Sequence, residues 1–316
     1  MLGRSDPTLE ANRPMRLAWW GVLALALVDI AWAIAADWSL GGRGKLLSVF
    51  LGSACLLPLL FVRRYRSDLR IRSTLLAALL LVAFSFAACI LSYLVVSLGT
   101  PLFDDTYARW DRAIGFDWLA ATQWVDRHGP VKQAFHLAYH SGLVQIGCVV
   151  LFLGFSRRLA RLNEFIALYL SGVLLAIACS LAFPAAGPWV GAPATVPFDA
   201  SALSHFFPLR NGDMRAIDFN QAQGLISMPS VHAMIAVFLL WAMRGTGRLF
   251  PPVAILNILM LMATPTEGGH YLVDVIGGVV CAVAMVAGYR AFVTGPATAD
   301  APAPASGPLG SLESSS

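Results

Sequence analysis

The chain has 316 residues, of which 58% are hydrophobic and only 13% charged, with a mean hydropathy of +0.69 and a formal net charge of +4. A soluble domain carries roughly a quarter charged residues, so a water-soluble globular fold is excluded; the positive charge sits in short loops and not on one face interleaved with aromatics, which excludes a nucleic-acid binder. Cys55, Cys89, Cys148, Cys179 and Cys281 lie far apart in apolar runs without a Cys-x-x-Cys pair, so they read as small buried hydrophobes and not as metal ligands or a disulfide framework.

Apolar runs of about 20 residues span a bilayer core, and eight are predicted, at roughly 16–37, 45–62, 74–98, 133–154, 164–183, 228–243, 249–265 and 271–292. Each span must satisfy its own backbone hydrogen bonds in lipid, and the alternation of a barrel strand is absent, so helices are required. The expected fold class is all-α, a polytopic membrane helical bundle of about eight transmembrane helices. Residues 1–73 contribute two extra helices, 74–292 a six-helix core, and 293–316 a Pro/Ala/Gly/Ser tail expected to be disordered because it cannot build a core. Ala33-Ile34-Ala35 resembles a signal-peptidase site, but the apolar stretch before it exceeds a signal h-region and reads as a retained anchor. Asp29, inside that first span, is expected near an end or in a pair.

The arginines set the orientation. Arg63, Arg64, Arg66, Arg70 and Arg72 follow the second span; Arg157, Arg158 and Arg161 follow the fourth; Arg244 and Arg248 follow the sixth; Arg290 closes the last. With eight spans all fall on one side, which the positive-inside rule makes cytoplasmic together with both termini. The expectation is a protein integral to the cytoplasmic (inner) membrane, with long loops at about 99–132 and 184–227 on the periplasmic, extracytoplasmic face. Trp110, Trp118 and Trp124 in the first loop are expected at headgroup level. The second loop, Pro/Gly-rich and then polar, is long enough to imply a function.

Chemistry concentrates at the outward helix ends. His232 opens the sixth span in MPSVHA, and His270 opens the eighth in TEGGHYLVDVIGG, with Asp274 four residues on. Residues at i and i+4 share a helix face, so Asp274 can hold one nitrogen of His270 and leave the other as nucleophile or base. A single interfacial histidine is most often a satisfied polar residue, and Pro229 can be a simple helix starter capped by Ser227. Two helix-start histidines on one face, one with a carboxylate partner, favour a functional site, the default reading for ionisable groups at such depth.

Pro229-Ser230-Val231-His232 resembles the PSxH motif of the type 2 phosphatidic acid phosphatase superfamily, and His270 with Asp274 resembles its later H-x-x-x-D motif. The Phe183–Pro188 stretch FPAAGP and Gly269-His270-Tyr271 look closest to the branch holding inositol phosphorylceramide synthases. The resemblance, over about residues 74–292, implies a lipid phosphatase or phosphotransferase acting on a phospholipid or polyprenyl phosphate. It implies that His270 forms a phosphohistidine, that Asp274 holds its tautomer, and that His232 serves as proton donor and acceptor. Ser230 and nearby helix-start amides would hold phosphate oxygens. No metal or other cofactor is expected.

The chain departs from that pattern where Thr264 stands in place of an arginine ahead of the second histidine. Arg210 and Arg215, flanking the turn Asn211-Gly212-Asp213, are the candidate replacements, because phosphate favours bidentate donors. Tyr139, His140 and Gly187 are possible pocket residues, whereas His128, His136 and His205 receive no role. A transporter or flippase working through the His/Asp pair, or a non-catalytic relative, is the alternative.

Overall fold

A computed structural model describes residues 13–41, 62, 67–190, 192–193, 195–196, 198 and 203–293. The second predicted span up to residue 61, the loop arginines Arg63, Arg64 and Arg66, and the C-terminal tail lie outside the described residues. The elements run α1 (Arg13–Ala35), β1 (Ser39–Gly41), α2 (Leu69–Val96), α3 (Asp104–Ala113), α4 (Trp118–Arg127), α5 (Gly129–His140), α6 (Gly142–Phe155), α7 (Leu159–Ala182), α8 (Phe206–Asn211), β2 (Ala216–Asp218), α9 (Val231–Ala242), α10 (Phe250–Glu267) and α11 (Leu272–Val293). The molecule is an all-α polytopic bundle: α1, α2, α7, α10 and α11 are each long and apolar enough to cross a membrane.

Two predicted spans take a different form. The fourth is broken into α5 and α6, bent by 50° at Ser141. Ser141 Oγ bonds back to the Ala138 carbonyl and accepts from Gln145 Nε2, and hydroxyl back-bonding of this kind loosens the backbone ladder. The sixth, α9, has 12 helical residues, about 18 Å at 1.5 Å per residue, and therefore covers little more than half the hydrocarbon core. The segment 227–230 before it is not helical, so the chain reaches Ser230 without a helical turn. One feature was not legible in the hydropathy pattern. Ser39–Gly41 pairs in parallel with Ala216–Asp218, tying the exit of α1 to the second outer loop.

The core forms where α2, α6, α7, α9 and α11 meet, around Leu80, Phe84, Leu153, Leu162, Phe165 and Phe238, all almost fully buried. Close approach depends on missing side chains, the usual device where helices pack without a hydrophobic drive. A Cβ on Gly172 would meet the Phe238 ring at 2.7 Å, and one on Gly278 would meet the Ser230 carbonyl at 2.5 Å. Asp29, expected near an end or in a pair, is instead fully buried, and both carboxylate oxygens lack partners among the described residues.

Arg161 on α7, Arg244 after α9 and Arg290 on α11 gather at one end of the bundle, around Glu164 and Trp241. Glu164, 6% exposed, accepts from Arg244 Nη2 at 2.7 Å and from Trp241 Nε1 at 2.8 Å. The Arg244 guanidinium lies over the Trp241 ring at 4.0 Å, and Arg290 faces the same ring at 5.5 Å. Arg161 donates to the Arg244 carbonyl. His232, His270 and the 184–190 segment lie toward the opposite end. Glu164→Ala should lower the unfolding free energy by about 2 kcal/mol, because it strips partners from a partly buried cation and an indole N–H. Thermal unfolding in detergent, with Glu164→Gln as the milder comparison, measures it.

Candidate active site

The site is assembled where the N-terminal ends of α9 and α11 cross. Ser230 is the N-cap of α9, its Oγ accepting from the Ala233 amide at 3.4 Å, and it is fully buried. Ser227, the residue expected to cap, instead donates its hydroxyl to Asp274 Oδ2 at 2.6 Å. The same oxygen accepts from the Tyr271 amide at 3.1 Å and faces His270 Nδ1 at 3.4 Å. The Asp274 backbone carbonyl accepts from the Ser230 amide at 3.0 Å. One residue thus binds both helix entries, through its side chain to His270 and Ser227 and through its main chain to Ser230. Asp274 is fully buried and His270 is 6% exposed. The 3.4 Å spacing is long for a hydrogen bond, as such pairs often are without substrate.

His232 and His270 open onto one cavity of about 280 Å³, which Tyr139, Ala185, Ala186 and Gly268 also line. The Tyr139 ring is stacked on His232, with centroids 4.1 Å apart and planes 22° apart. The turn before His270 fits only glycine. Gly269 has φ +62°, and a Cβ on it would lie 2.5 Å from Phe198; one on Gly268 would lie 2.6 Å from the Tyr139 hydroxyl.

Residues that the sequence reading passed over hold this arrangement from outside. Asp111 on α3 accepts from the Leu272 and Val273 amides at 2.9 and 3.0 Å, so it caps from a distant element the helix that begins two residues after His270. Asp104, at the start of the same outer helix, accepts from the Gly187 amide at 2.9 Å, the Ala186 amide at 3.1 Å and the Tyr271 hydroxyl at 3.1 Å. Burial pushes the Asp111 carboxyl above its ordinary range, opposed by its two amide bonds. Burial, and then the neighbouring Asp104 charge, push the Tyr271 phenol up, so it remains the donor in that pair. Trp118, expected at headgroup level with Trp110 and Trp124, is instead 7% exposed and donates to the Pro265 carbonyl at 2.8 Å, while the other two are exposed. Two acids seven residues apart on one amphipathic outer helix were the available signal, but nothing local identifies as their partners amides 82 and 83 positions away for Asp104, and 161 and 162 away for Asp111.

Of the predicted site residues, the structure brings together His232, His270, Asp274 and Tyr139. Ser230 is adjacent but occupied as a cap, and Gly187 (φ +113°) packs against Gly269, where a Cβ would meet the Gly269 carbonyl at 2.5 Å. Arg210 and Arg215 are not brought to the cavity. Arg210 donates to the Thr100 carbonyl and lies over Phe206 at 5.4 Å, and Arg215 donates to the Ala36 carbonyl at 3.1 Å. Both serve as ties between outer segments, because carbonyls at helix exits are better acceptors within their reach than a cavity lined by neither. Thr264, at the position where the resemblance led to the expectation of an arginine, is fully buried and bonds back to the Met260 carbonyl. His140 is exposed beside Tyr139 and does not line the cavity. Among the described residues, the one group of His, Cys, Asp or Glu side chains close enough to share a cation is His136, His140 and Glu267, outside that lining.

A family model described as PAP2 superfamily matches residues 106–288, more than half of the chain. No curated protein and no solved structure is matched. The matched segment runs from α3 to α11 and so contains both histidines, both outer-helix contacts of Asp111 and the Asp274 cluster.

Asp111→Ala should leave two amides at the start of α11 without a partner and lower stability by about 1–2 kcal/mol, the usual cost of a lost helix cap. Asp111→Asn should recover part of it. Thermal unfolding of the three proteins side by side tests this, and equal midpoints would show that the contact does not anchor α11.

Proposed function

Since the chain belongs to the PAP2 superfamily, a family of membrane phosphatase type, we propose that it cleaves a lipid-linked phosphate through a phosphohistidine at His270, passing the phosphoryl group to water or to an alcohol. The observation that carries this reading is the shared cavity: two imidazoles from different helices line it, and one has its Nδ1 turned to a buried carboxylate.

With Nδ1–H directed at Asp274, Nε2 of His270 keeps its lone pair and attacks phosphorus. The bond from phosphorus to the leaving oxygen breaks, and that oxygen takes a proton from His232. In the second half, His232 removes a proton from water or an alcohol, which attacks the phosphorus of the phosphohistidine and releases His270. Splitting one displacement into two suits a reaction whose catalysis is mainly positioning and charge neutralisation.

An apolar cavity of about 740 Å³, between α2, α6 and α7, shares Ser85, Cys89 and Tyr169 with the histidine cavity. That continuity supports a substrate with a hydrocarbon tail, a phospholipid or a polyprenyl phosphate. We take 74–292 as the catalytic core and 1–73 as an added segment. By the positive-inside rule we further propose that the arginine-bearing end faces the cytoplasm, with the histidine site on the extracytoplasmic face of the inner membrane and both termini inside. The Phe183–Pro188 segment and Gly269-His270-Tyr271 favour a branch resembling inositol phosphorylceramide synthases, in which an alcohol is the acceptor.

Phosphate release from phosphatidic acid and polyprenyl phosphates by the purified protein tests the reading. His270→Ala should lower turnover by more than about 10³-fold, the scale of losing a covalent nucleophile, with an unchanged unfolding midpoint. Substantial residual turnover would remove His270 as the nucleophile. If no lipid phosphate is hydrolysed, headgroup exchange between a phosphatidyl donor and an alcohol should appear in the wild type and vanish in the variant.

A further inference from the structure

We propose that His136, His140 and Glu267 form a binding site for one divalent transition-metal cation of the zinc class on the outer rim of the bundle, next to the histidine cavity but not part of it. His136 and His140 are one turn apart on α5, so both rings leave the same face, with centroids 4.3 Å apart. Glu267 is the last residue of α10 and brings its carboxylate to them: Oε2 lies 3.1 Å from His136 Nδ1. One donor atom from each residue falls within 4.8 Å of the other two. Ligands about 2.0–2.2 Å from a tetrahedral ion lie roughly 3.3 Å apart, so a small rotation of the exposed rings closes the cluster.

Two imidazoles and one carboxylate are a donor set that zinc takes readily, leaving a fourth position for water or another ligand. The rival occupant is Lys132, one turn before His136 on the same face. Its ammonium is held by Asp126 at 2.6 Å, so the charge it would offer Glu267 is already engaged. The side chain of Glu267 is only 14% exposed, whereas that of His136 is 67% exposed. A carboxylate largely withdrawn from water therefore faces two imidazoles that solvent can reach, and an entering cation meets an open approach and a partly desolvated anchor.

The location gives such an ion a consequence that rests on the function proposed above. Glu267 precedes His270 by three residues, with Gly268 and Gly269 between them, and His140 adjoins Tyr139, whose ring is stacked on His232. A bound cation would join α5 to the turn that delivers His270. It would also place positive charge at the rim, beside a cavity that neither Arg210 nor Arg215 lines. This is a positioning and electrostatic role, without contact to the reacting atoms.

The test is metal binding by the full chain, purified in detergent without a polyhistidine tag and stripped with chelator. Zn²⁺ titration by calorimetry and Co²⁺ titration by visible absorption are the readouts. The wild type should bind one equivalent, with the intense Co²⁺ bands of a low-coordinate nitrogen/oxygen site. His136→Ala/His140→Ala should weaken that binding by more than about 100-fold, beyond the usual effect of removing a residue that only supports a ligand. Should the double variant fail to fold, Glu267→Gln replaces it, with at least about a tenfold loss expected. No stoichiometric binding in the wild type, or undiminished binding in a folded variant, would overturn the proposal. Because no turnover enters the readout, an inactive protein that binds metal sinks only the catalytic reading.

Discussion

Donors gathered on a buried carboxylate tie together the elements that carry them, and in this bundle they gather on one oxygen of Asp274, whereas its Oδ1, like both oxygens of Asp29, has no partner among the described residues. The Asp274 side chain takes up the Ser227 hydroxyl, the Tyr271 amide and the His270 ring, while its carbonyl takes up the Ser230 amide. These contacts join two helices that enter the core side by side, separated by no more than the width of Gly278 against Ser230. The imidazole orientation, the start of α9 and the crossing of α9 with α11 are consequences of the same buried charge. A neutral residue at 274 would loosen all three together, since each is supported by the others.

Around this centre stands a second ring of acids with another function. Asp104 and Asp111 lie seven residues apart on the outer helix α3 and each binds backbone amides elsewhere. Amides at a helix start are positively polarised and unsatisfied, so a carboxylate held by a neighbouring element can fix the helix without being part of it. The outer helix thus works as a brace across the mouth of the bundle: one end grips the loop after α7, the other grips α11. The broken span α5–α6 completes the enclosure by tipping Tyr139 onto His232.

How much of this could be read beforehand follows from the range of each interaction. The bundle was legible because bilayer thickness imposes a length on most spans, and the His270–Asp274 pair was legible from its i, i+4 spacing, although His270 lies in the turn before α11 and not on the helix. The brace was not, since Asp111 acts 161 and 162 residues away and its own segment looks like an ordinary interfacial helix. The arginines misled for the converse reason. Polarity and a nearby turn suggested Arg210 and Arg215 as phosphate ligands, but their guanidinium groups are used by the Thr100 and Ala36 carbonyls at helix exits. The bend at Ser141 escaped as well, because hydropathy averages over a window and does not register one hydroxyl turning back on its own helix.

The meeting of Gly187 with Gly269 carries a consequence for how such a site changes over time. Each glycine has positive φ, and a single methyl at 187 would strike the facing carbonyl. The gap between the loop after α7 and the turn before His270 is therefore closed by backbone on one side and by the Trp189 and Phe198 rings on the other, leaving no room for a side chain at either glycine. The shape of the histidine cavity has little room to drift through substitutions at that seam, which any added atom would force open. Variation in what reaches His270 must come from the walls, where Tyr139, Ala185 and Ala186 can exchange bulk while the distance between backbones stays as it is.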